Sequence, residues 1–291
     1  MATKPTGRTA VRSAAGLVPL ALALLLQRSV LPEKGGPPPI GNADPVVCAE
    51  DIEGVQGCHD VYPTGCSPSG RYDAYLNLLK NQLPQPTAKP IRMLTEADYR
   101  ELDAGTPKEL SKANHADFKD DLAKLGEGKI HSVIAYLYYA KPSGQESSNC
   151  EEAEADAIDF HIGIGFDEKL AAKAAGKVSS TDHKKMEQTG YIVEMTPHFR
   201  REYKNEWSVA ELKPVLGRMV KITGLLLNDN EHNTPKDNCY PSVTATCWRA
   251  STWELHPVIR FQVCNNDENS CDEKSKDWVD LEEYQPPDKT K

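Results

Sequence analysis

The chain lacks any block of clustered Lys and Arg residues that could follow a phosphate backbone. Its 291 residues carry 34 Lys and Arg against 43 Asp and Glu, which gives a formal net charge of −9. A protein that binds nucleic acid broadly needs an excess of positive charge at the contact surface. The composition therefore disfavours broad nucleic-acid binding, whereas the length is ample for a sizeable core.

The one long apolar run, at residues 14–26, is too short to span a bilayer comfortably. The basic residues Lys4, Arg8 and Arg12 precede it. This pattern is typical of an export signal peptide, here over residues 1–31, and the lack of a clean small-x-small cleavage site leaves an uncleaved N-terminal membrane anchor as the alternative. We expect an exported, periplasmic or extracellular protein without a multi-span membrane region.

The eight cysteines show none of the C-x2-C spacings that zinc motifs use. An even number of cysteines behind an export signal favours disulfides in an oxidising compartment. The short separations favour the local pairs Cys239–Cys247 and Cys264–Cys271, which leaves one of the three early cysteines to pair with Cys150. The cysteines are Cys48, Cys58, Cys66, Cys150, Cys239, Cys247, Cys264 and Cys271.

Composition divides the rest of the chain into segments. Residues 32–47 are rich in Pro and Gly and predict a flexible linker. Residues 48–128 form a cysteine-containing accessory segment with predicted helices at 72–83 and 115–125, and its modest apolar content suggests stapling by disulfides rather than a core of its own. Residues 265–291 predict an acidic, mobile tail.

Residues 129–264 contain five segments in which apolar and polar residues alternate, the pattern of half-buried strands. A helical stretch, SVAELKPVL, lies between the third and the fourth. This order is typical of the OB-fold, a five-stranded Greek-key barrel. The predicted fold is therefore mainly β: an OB-fold-like barrel with a helix between strands 3 and 4 and a small, partly helical N-terminal segment. The segments are KIHSVIAYLYYAK, IDFHIGIGF, YIVEMTP, GRMVKITGLLL and STWELHPVIRFQV.

Several blocks resemble a group of exported bacterial proteins of uncharacterised function. They are LNLLKNQLPQP, SSNC followed by DFHI, VEMTP, VKITGLLLNDNEH and STWELHPV, spread over residues 75–264. Similar proteins carry a Trp-Glu-Ile-His-Pro stretch, in which Leu255 here takes the Ile place. This chain departs from them by an inserted, cysteine-containing loop between His232 and Arg249. The resemblance implies an OB-fold-like barrel and no particular activity.

Two acid-x-His motifs mark the polar faces of the second and fifth predicted strands. DFH contributes Asp159 and His161, and WELH contributes Glu254 and His256. Because chain-distant strands approach one another when an OB barrel closes, we predict that the two motifs meet. The third strand and the loop after the fourth add further polar groups. The predicted ligand-binding residues are Asp159, His161, Glu194, Glu231, His232, Arg249, Glu254 and His256.

Three interpretations of this set stay open. In a metal site, His161, His232 and His256 with a carboxylate would bind zinc or manganese, and Glu254 would be the general base of a nuclease-like hydrolase. In a metal-free site, the residues would bind an unknown ligand or envelope component. In a structural network, each His would be held by a neighbouring acid or carbonyl group. The leading prediction is an exported binding or envelope-associated module, with the hydrolase as the alternative and no catalytic residue assigned.

The sequence offers little support for a serine nucleophile, since no G-x-S-x-G elbow surrounds the KVSSTDHKK stretch, which we interpret as a polar loop. Glycines inside a strand cost stability, so Gly163 and Gly165 predict a bend of the second strand or a close backbone approach, with barrel curvature the favoured cause. Trp253 falls on the apolar face of the fifth strand and is predicted to be core.

Overall fold

The computed structural model describes residues 74–149 and 152–286. The predictions for residues 1–31 and 32–47 and for Cys48, Cys58, Cys66 and Cys150 lie outside these ranges.

The strands and helices are numbered in chain order. The strands are β1 (Met93–Leu94), β2 (Ile130–Pro142), β3 (Phe160–Gly165), β4 (Tyr191–Met195), β5 (Met219–Asn228), β6 (Trp253–Cys264) and β7 (Trp278–Asp280). The helices are α1 (Ala74–Lys80), α2 (Glu96–Gly105), α3 (Lys119–Leu125), α4 (Glu168–Ala174), α5 (Ser180–Thr189), α6 (Pro197–Tyr203) and α7 (Val209–Leu212). Short 3-10 helices lie at Lys112–Phe118, Ser147–Asn149, Lys213–Val215, Asn230–His232 and Leu281–Glu283.

Five strands close into a mixed β-barrel in the order β2-β3-β4-β6-β5, and β5 pairs back to β2. β4 and β6 are parallel, whereas the other four barrel pairings are antiparallel. This is the strand order of an OB-type barrel, in which the first strand pairs with the second and the fourth. The predicted fold class is therefore confirmed. The predicted helical stretch between the third and fourth barrel strands corresponds to α7 and the 3-10 turn after it, and α6 precedes them.

The barrel interior is filled by alternate residues of the strands. Phe160 and Ile162 of β3, Val193 of β4, and Trp253 and Leu255 of β6 belong to one core cluster, and all are buried. Trp253 has no exposed surface, and its indole N–H donates to Thr106 Oγ1 at 2.8 Å. The prediction that Trp253 is core is confirmed.

The described part of the accessory segment shares this core. β1 pairs in parallel with β2, and Tyr99 and Leu102 of α2 and Leu122 of α3 pack in the main cluster. α2 begins with a capping box in which Thr95 and Asp98 satisfy each other's backbone N–H groups. The segment from residue 74 is therefore built onto the barrel.

The C-terminal region differs from the predicted mobile tail. β7 pairs antiparallel with the end of β6, and Leu281 and Tyr284 are buried in the main core. The strand was not predicted, because its two apolar residues, Trp278 and Val279, lie within an acidic stretch.

The polar loop predicted at KVSSTDHKK is instead the start of α5. Ser179 is the N-cap, and its hydroxyl accepts a hydrogen bond from the backbone N–H of Asp182 at 3.1 Å. Of the ten residues of α5, Met186 is the one that is buried. The helix therefore lacks the apolar periodicity by which an amphipathic helix is predicted.

The two strand glycines make room for tyrosine rings. A Cβ atom added at Gly163 would lie 2.3 Å from the ring of Tyr139, and one added at Gly165 would lie 2.1 Å from the ring of Tyr138. The register between β2 and β3 shifts between Leu137 and Tyr139, so the irregularity lies in β2. Close approach of aromatic rings, rather than curvature of β3, is thus the reason for these glycines.

The two favoured disulfides, Cys239–Cys247 and Cys264–Cys271, are both present. They indicate an oxidising environment. Among the helices of residues 74–149 and 152–286, none combines the length and the hydropathy that a bilayer crossing requires.

Candidate functional site

Three neighbouring strands bring the acid-x-His motifs together. His161 of β3 pairs directly with Glu194 of β4, and Val193 pairs with Leu255 of the parallel β6. Because side chains alternate along a strand, Glu194 and His256 are neighbours on the face opposite the core. The structure thus places both motifs on one face of the β3-β4-β6 sheet.

His256 is surrounded by three carboxylates. Its Nδ1 lies 3.1 Å from Glu254 Oε1 and 3.4 Å from Glu194 Oε2, and its Nε2 lies 3.6 Å from Asp159 Oδ1. Asn149 Nδ2 donates to the other Asp159 oxygen at 2.9 Å. We call Asp159, Glu194, Glu254 and His256 the acidic cluster. All four side chains have at most 2 % exposure.

Two buried cations balance part of this charge. The Arg249 guanidinium donates to Glu254 and lies 3.7 Å from Asp229 Oδ2. Lys80, at the end of α1, lies 3.3 Å from the same Asp229 oxygen and 3.4 Å from Glu146 Oε2. α1 and the loop before β6 therefore lie against this face of the sheet and exclude water from it.

Burial and mutual charge perturb the ionisation of the acidic cluster. Burial alone would lower the pKa of His256, but the neighbouring Glu194 and Asp159 carboxylates raise it to about 10, so the ring is a cation at neutral pH. Burial, followed by repulsion from Glu254, raises the pKa of Glu194 well above its usual range. Burial also opposes ionisation of Asp159, yet the charge of His256 keeps the pKa of Asp159 below its ordinary value.

Three rings at the edge of this cluster form a second group, which we call the rim: His161, His232 and Trp248. The His161 and His232 rings meet the Trp248 ring edge-on, with centroids 5.4 and 4.9 Å apart. Trp248 is partly exposed, and its indole N–H donates to Asp237 Oδ1 at 3.0 Å. Burial, assisted by the charge of Arg249, lowers the pKa of His161 well below its usual range, so that ring is neutral.

The structure corrects the predicted set of metal ligands. In the described part of the chain, the His, Cys, Asp and Glu group whose potential ligand atoms lie within 4.8 Å of one another is Asp159, Glu194 and His256. His161 Nε2 is 3.0 Å from Glu194 Oε1, and His232 Nε2 is 3.8 Å from Asp229 Oδ2. Both of these rings contact Trp248, which was not among the predicted site residues.

Glu231 is the remaining predicted residue, and Asp229 and Lys80 are site residues that were not predicted. Glu231 is half-buried in the same 3-10 turn as His232, and its backbone N–H donates to Asp229 Oδ1. Asp229 was detectable, since it precedes Glu231 in the NDNEH block. The role of Lys80 could not be predicted from the sequence. It is a single lysine in a short helix, and only tertiary packing brings it to the site.

The cluster and the rim occupy the part of the barrel where OB-folds bind ligands. In that fold, the face of strands 2 and 3 and the loops between strands 1 and 2 and between strands 4 and 5 contact oligonucleotides and oligosaccharides. Here the equivalent strands are β3 and β4. Asn149 and Asp159 come from the first loop, and Asp229 and Trp248 come from the second.

No family model, curated protein or solved structure matches this chain. The geometry of this face is therefore the basis for assigning a function.

Proposed function

We propose that the protein is an exported OB-fold binding module that holds a glycan of the cell envelope against the rim. The observation that carries the proposal is the partly exposed Trp248 ring, flanked by His161 and His232, on the face that OB barrels use for ligands. Ligand sites commonly combine an aromatic surface with a few fixed polar groups. Sugar rings offer an apolar face and hydroxyl groups that suit this combination.

Charge favours a glycan over a nucleic acid at this site. Beneath the rim lie the carboxylates of Asp159, Glu194, Glu254 and Asp229, and the whole chain carries a net charge of −9. Arg249, Lys80 and the cationic His256 offset these buried carboxylates, so the site carries no excess of positive charge that would attract a polyanion. The fold itself accepts both ligand classes, so the electrostatics of the site make the choice.

Export is supported by chemistry at two places in the chain. The N-terminal pattern of basic residues before an apolar run is typical of an export signal. The disulfide Cys239–Cys247 closes the loop that precedes Trp248, and this loop exposes Tyr240 and Val243. An oxidising compartment would keep that loop closed and the rim in place.

The test is co-sedimentation of the purified protein with insoluble peptidoglycan and with chitin, using duplex DNA in a separate binding assay as the polyanion comparison. Trp248→Ala should weaken glycan binding by about 30-fold, the usual effect of removing an aromatic anchor worth about 2 kcal/mol. Trp278→Ala is the matched control, since Trp278 is also partly exposed but pairs with Cys264 at the far end of β6. Equal binding by both variants, or binding to DNA alone, would contradict the proposal.

A metal-dependent hydrolase is the second candidate, and the proximity of Asp159, Glu194 and His256 is the observation in its favour. A catalytic metal needs a position open to water and substrate. The side chains of these three residues have at most 2 % exposure, which supports binding better than hydrolysis. Cleavage of DNA or RNA that requires added Mn²⁺ and is abolished in Glu254→Gln would reverse this ranking.

A further inference from the structure

We infer that Asp159, Glu194 and His256 form a buried binding site for a divalent ion of the Mn²⁺ or Zn²⁺ type. The inference takes from the proposed function only that this face of β3, β4 and β6 is the functional one. Its ligand set differs from the three histidines that the sequence suggests, because one imidazole and two carboxylates supply the donor atoms.

Unpartnered atoms are the first observation. Asp159 Oδ1, Glu194 Oε2 and His256 Nε2 are each fully buried, and within residues 74–149 and 152–286 none has a hydrogen-bond partner, since the ion pairs that they make in the cluster are long, at 3.4–3.6 Å. A buried polar atom without a hydrogen bond destabilises the folded state, so three such atoms in one cluster call for a physical explanation. An ion that binds all three residues would remove this destabilisation, and the His256 Nε2 proton would be released to solvent as the ion binds.

The donor spacing is the second observation. Asp159 Oδ1 and His256 Nε2 lie 3.6 Å apart, too far for a hydrogen bond. Two ligands of a tetrahedral ion with bonds of 2.0–2.2 Å lie about 3.3–3.6 Å apart. The pair is thus already spaced as ligands of one ion, and Glu194 completes a group whose ligand atoms lie within 4.8 Å of one another.

The surroundings of the ligands are the third observation. His256 Nδ1 lies 3.1 Å from Glu254 Oε1 and 3.4 Å from Glu194 Oε2, whereas Nε2 faces Asp159, so Glu194 would reach an ion at Nε2 by turning its carboxylate away from Nδ1. A metal-binding histidine characteristically holds a carboxylate with its other ring nitrogen. Asn149 fixes Asp159 in the same way, and Arg249 holds Glu254. The supporting residues of a metal site are therefore in place around the three ligands.

The chemistry of the donors limits the ion. Imidazole suits Zn²⁺ and other first-row transition ions, whereas carboxylates suit Mn²⁺ and harder ions, so a set of one imidazole and two carboxylates favours Mn²⁺ or Zn²⁺. The three ligands belong to β6, to β4 and to the residue just before β3. The ion would tie these three elements together beneath the rim and thereby stabilise the ligand face.

The experiment uses the full exported chain, oxidised and purified without a chelating resin or histidine tag. Metal content is measured by mass spectrometry, and melting temperature is measured after EDTA dialysis and again after MnCl₂ or ZnCl₂ is added. We expect about one ion per chain, and a rise in melting temperature of about 5–10 °C when free metal is 100 times Kd. Wild type with neither bound metal nor a melting response overturns the inference.

Near-isosteric variants locate the ion. Glu194→Gln and Asp159→Asn should each abolish the metal-dependent rise in melting temperature, whereas Glu254→Gln should weaken affinity by about 10–100-fold, as loss of a supporting carboxylate does. His183→Gln is the matched control, because the exposed His183 forms a His–carboxylate pair with the half-buried Glu187 on α5, away from the acidic cluster. A metal response that survives Glu194→Gln, or that disappears in His183→Gln, overturns the inference even if some variants fold poorly.

Glycan binding is measured on metal-loaded and EDTA-treated protein in the same series. Stoichiometric metal without glycan binding supports the ion site and contradicts the glycan proposal. Glycan binding by a protein that binds no metal contradicts the ion site alone.

Discussion

The two faces of the β3-β4-β6 sheet are both buried, yet they are built by opposite rules. The inner face carries Phe160, Val193 and Leu255, whose packing depends on shape alone. The outer face carries Glu194 and His256, each of which needs partners of the right charge at the right distance. A mismatch on the apolar face leaves a cavity, whereas a mismatch on the polar face leaves a buried charge or polar atom without a partner.

Breaking the inner face should have the largest effect. Trp253→Ala removes a fully buried indole and its hydrogen bond to Thr106, so the free energy of unfolding should fall by about 3–5 kcal/mol. Urea denaturation measures this loss. Thr106→Val keeps the indole but removes this hydrogen bond and the one that the Thr106 hydroxyl donates to Leu102 O, and should cost about 1–3 kcal/mol. A Trp253→Ala melting temperature within two degrees of wild type would show that the cavity argument is wrong.

Breaking the outer face by removing one charge should cost slightly less. Arg249→Met leaves Glu254 and Asp229 buried without their guanidinium, and we expect a loss near 3 kcal/mol, the lower end for a broken buried ion pair. The lower end is expected because Lys80 still pairs with Asp229. The matched control is Arg260→Met, which breaks the exposed pair with Asp280 and should cost at most about 1 kcal/mol. Equal losses in the two variants would show that the buried ion pair contributes no more to stability than the exposed one.

The glycine positions on the outer face test close packing without charge. Gly163→Ala should cost about 1–3 kcal/mol, because the new Cβ would overlap the Tyr139 ring. The cost should shrink in a Tyr139→Ala background, where the ring is absent, and a double-mutant cycle measures the difference. Additive losses would mean that backbone curvature, not the ring, requires glycine here.

Asp103 of α2, which accepts a hydrogen bond from Ser251 just before β6, should make the stability depend on pH. Burial raises the pKa of Asp103 from 3.8 to about 7, although its hydrogen bond from Ser251 opposes the rise. Between these two values the unfolded chain has lost a proton that the native chain keeps. Stability therefore falls as pH rises, by up to about 1.4 kcal/mol per pH unit, and the contribution is lost once pH passes 7.

Asp103→Asn keeps an acceptor for Ser251 but cannot ionise. Its unfolding free energy should decline less than that of wild type between about pH 4 and pH 7. Urea denaturation at several pH values measures the two slopes. Parallel curves would show that Asp103 does not hold its proton in the native state.

Much of the fold followed from local patterns, and the exceptions have physical causes. The strict alternation of IDFHIGIGF and STWELHPVIRFQV predicts strands because a half-buried strand must alternate. The short separation of Cys264 and Cys271 predicts their disulfide because closing a short loop costs little entropy. α5 and β7 were missed because they bury few side chains and so show no periodic signal.

The candidate site was predictable in part. The two acid-x-His motifs were recognised, and the strand order of an OB barrel was enough to expect them to meet. Trp248 and Lys80 were not recognised, since neither belongs to a periodic pattern or a spaced motif. Which nitrogen of His256 faces which carboxylate depends on the register of β4 against β6, and a one-residue shift would turn every outer side chain inward.

The sequence by itself determined the alternation, the local disulfides and the strand order, because each depends on neighbours in the chain or on the simple need to bury apolar surface. Only the tertiary structure decided that Asp159, Glu194 and His256 share one dry cluster while His161 and His232 flank Trp248. The reason is that charge pairing acts over a few ångströms between residues far apart in sequence. That distance is set by register and by covering segments such as α1, which no local pattern encodes.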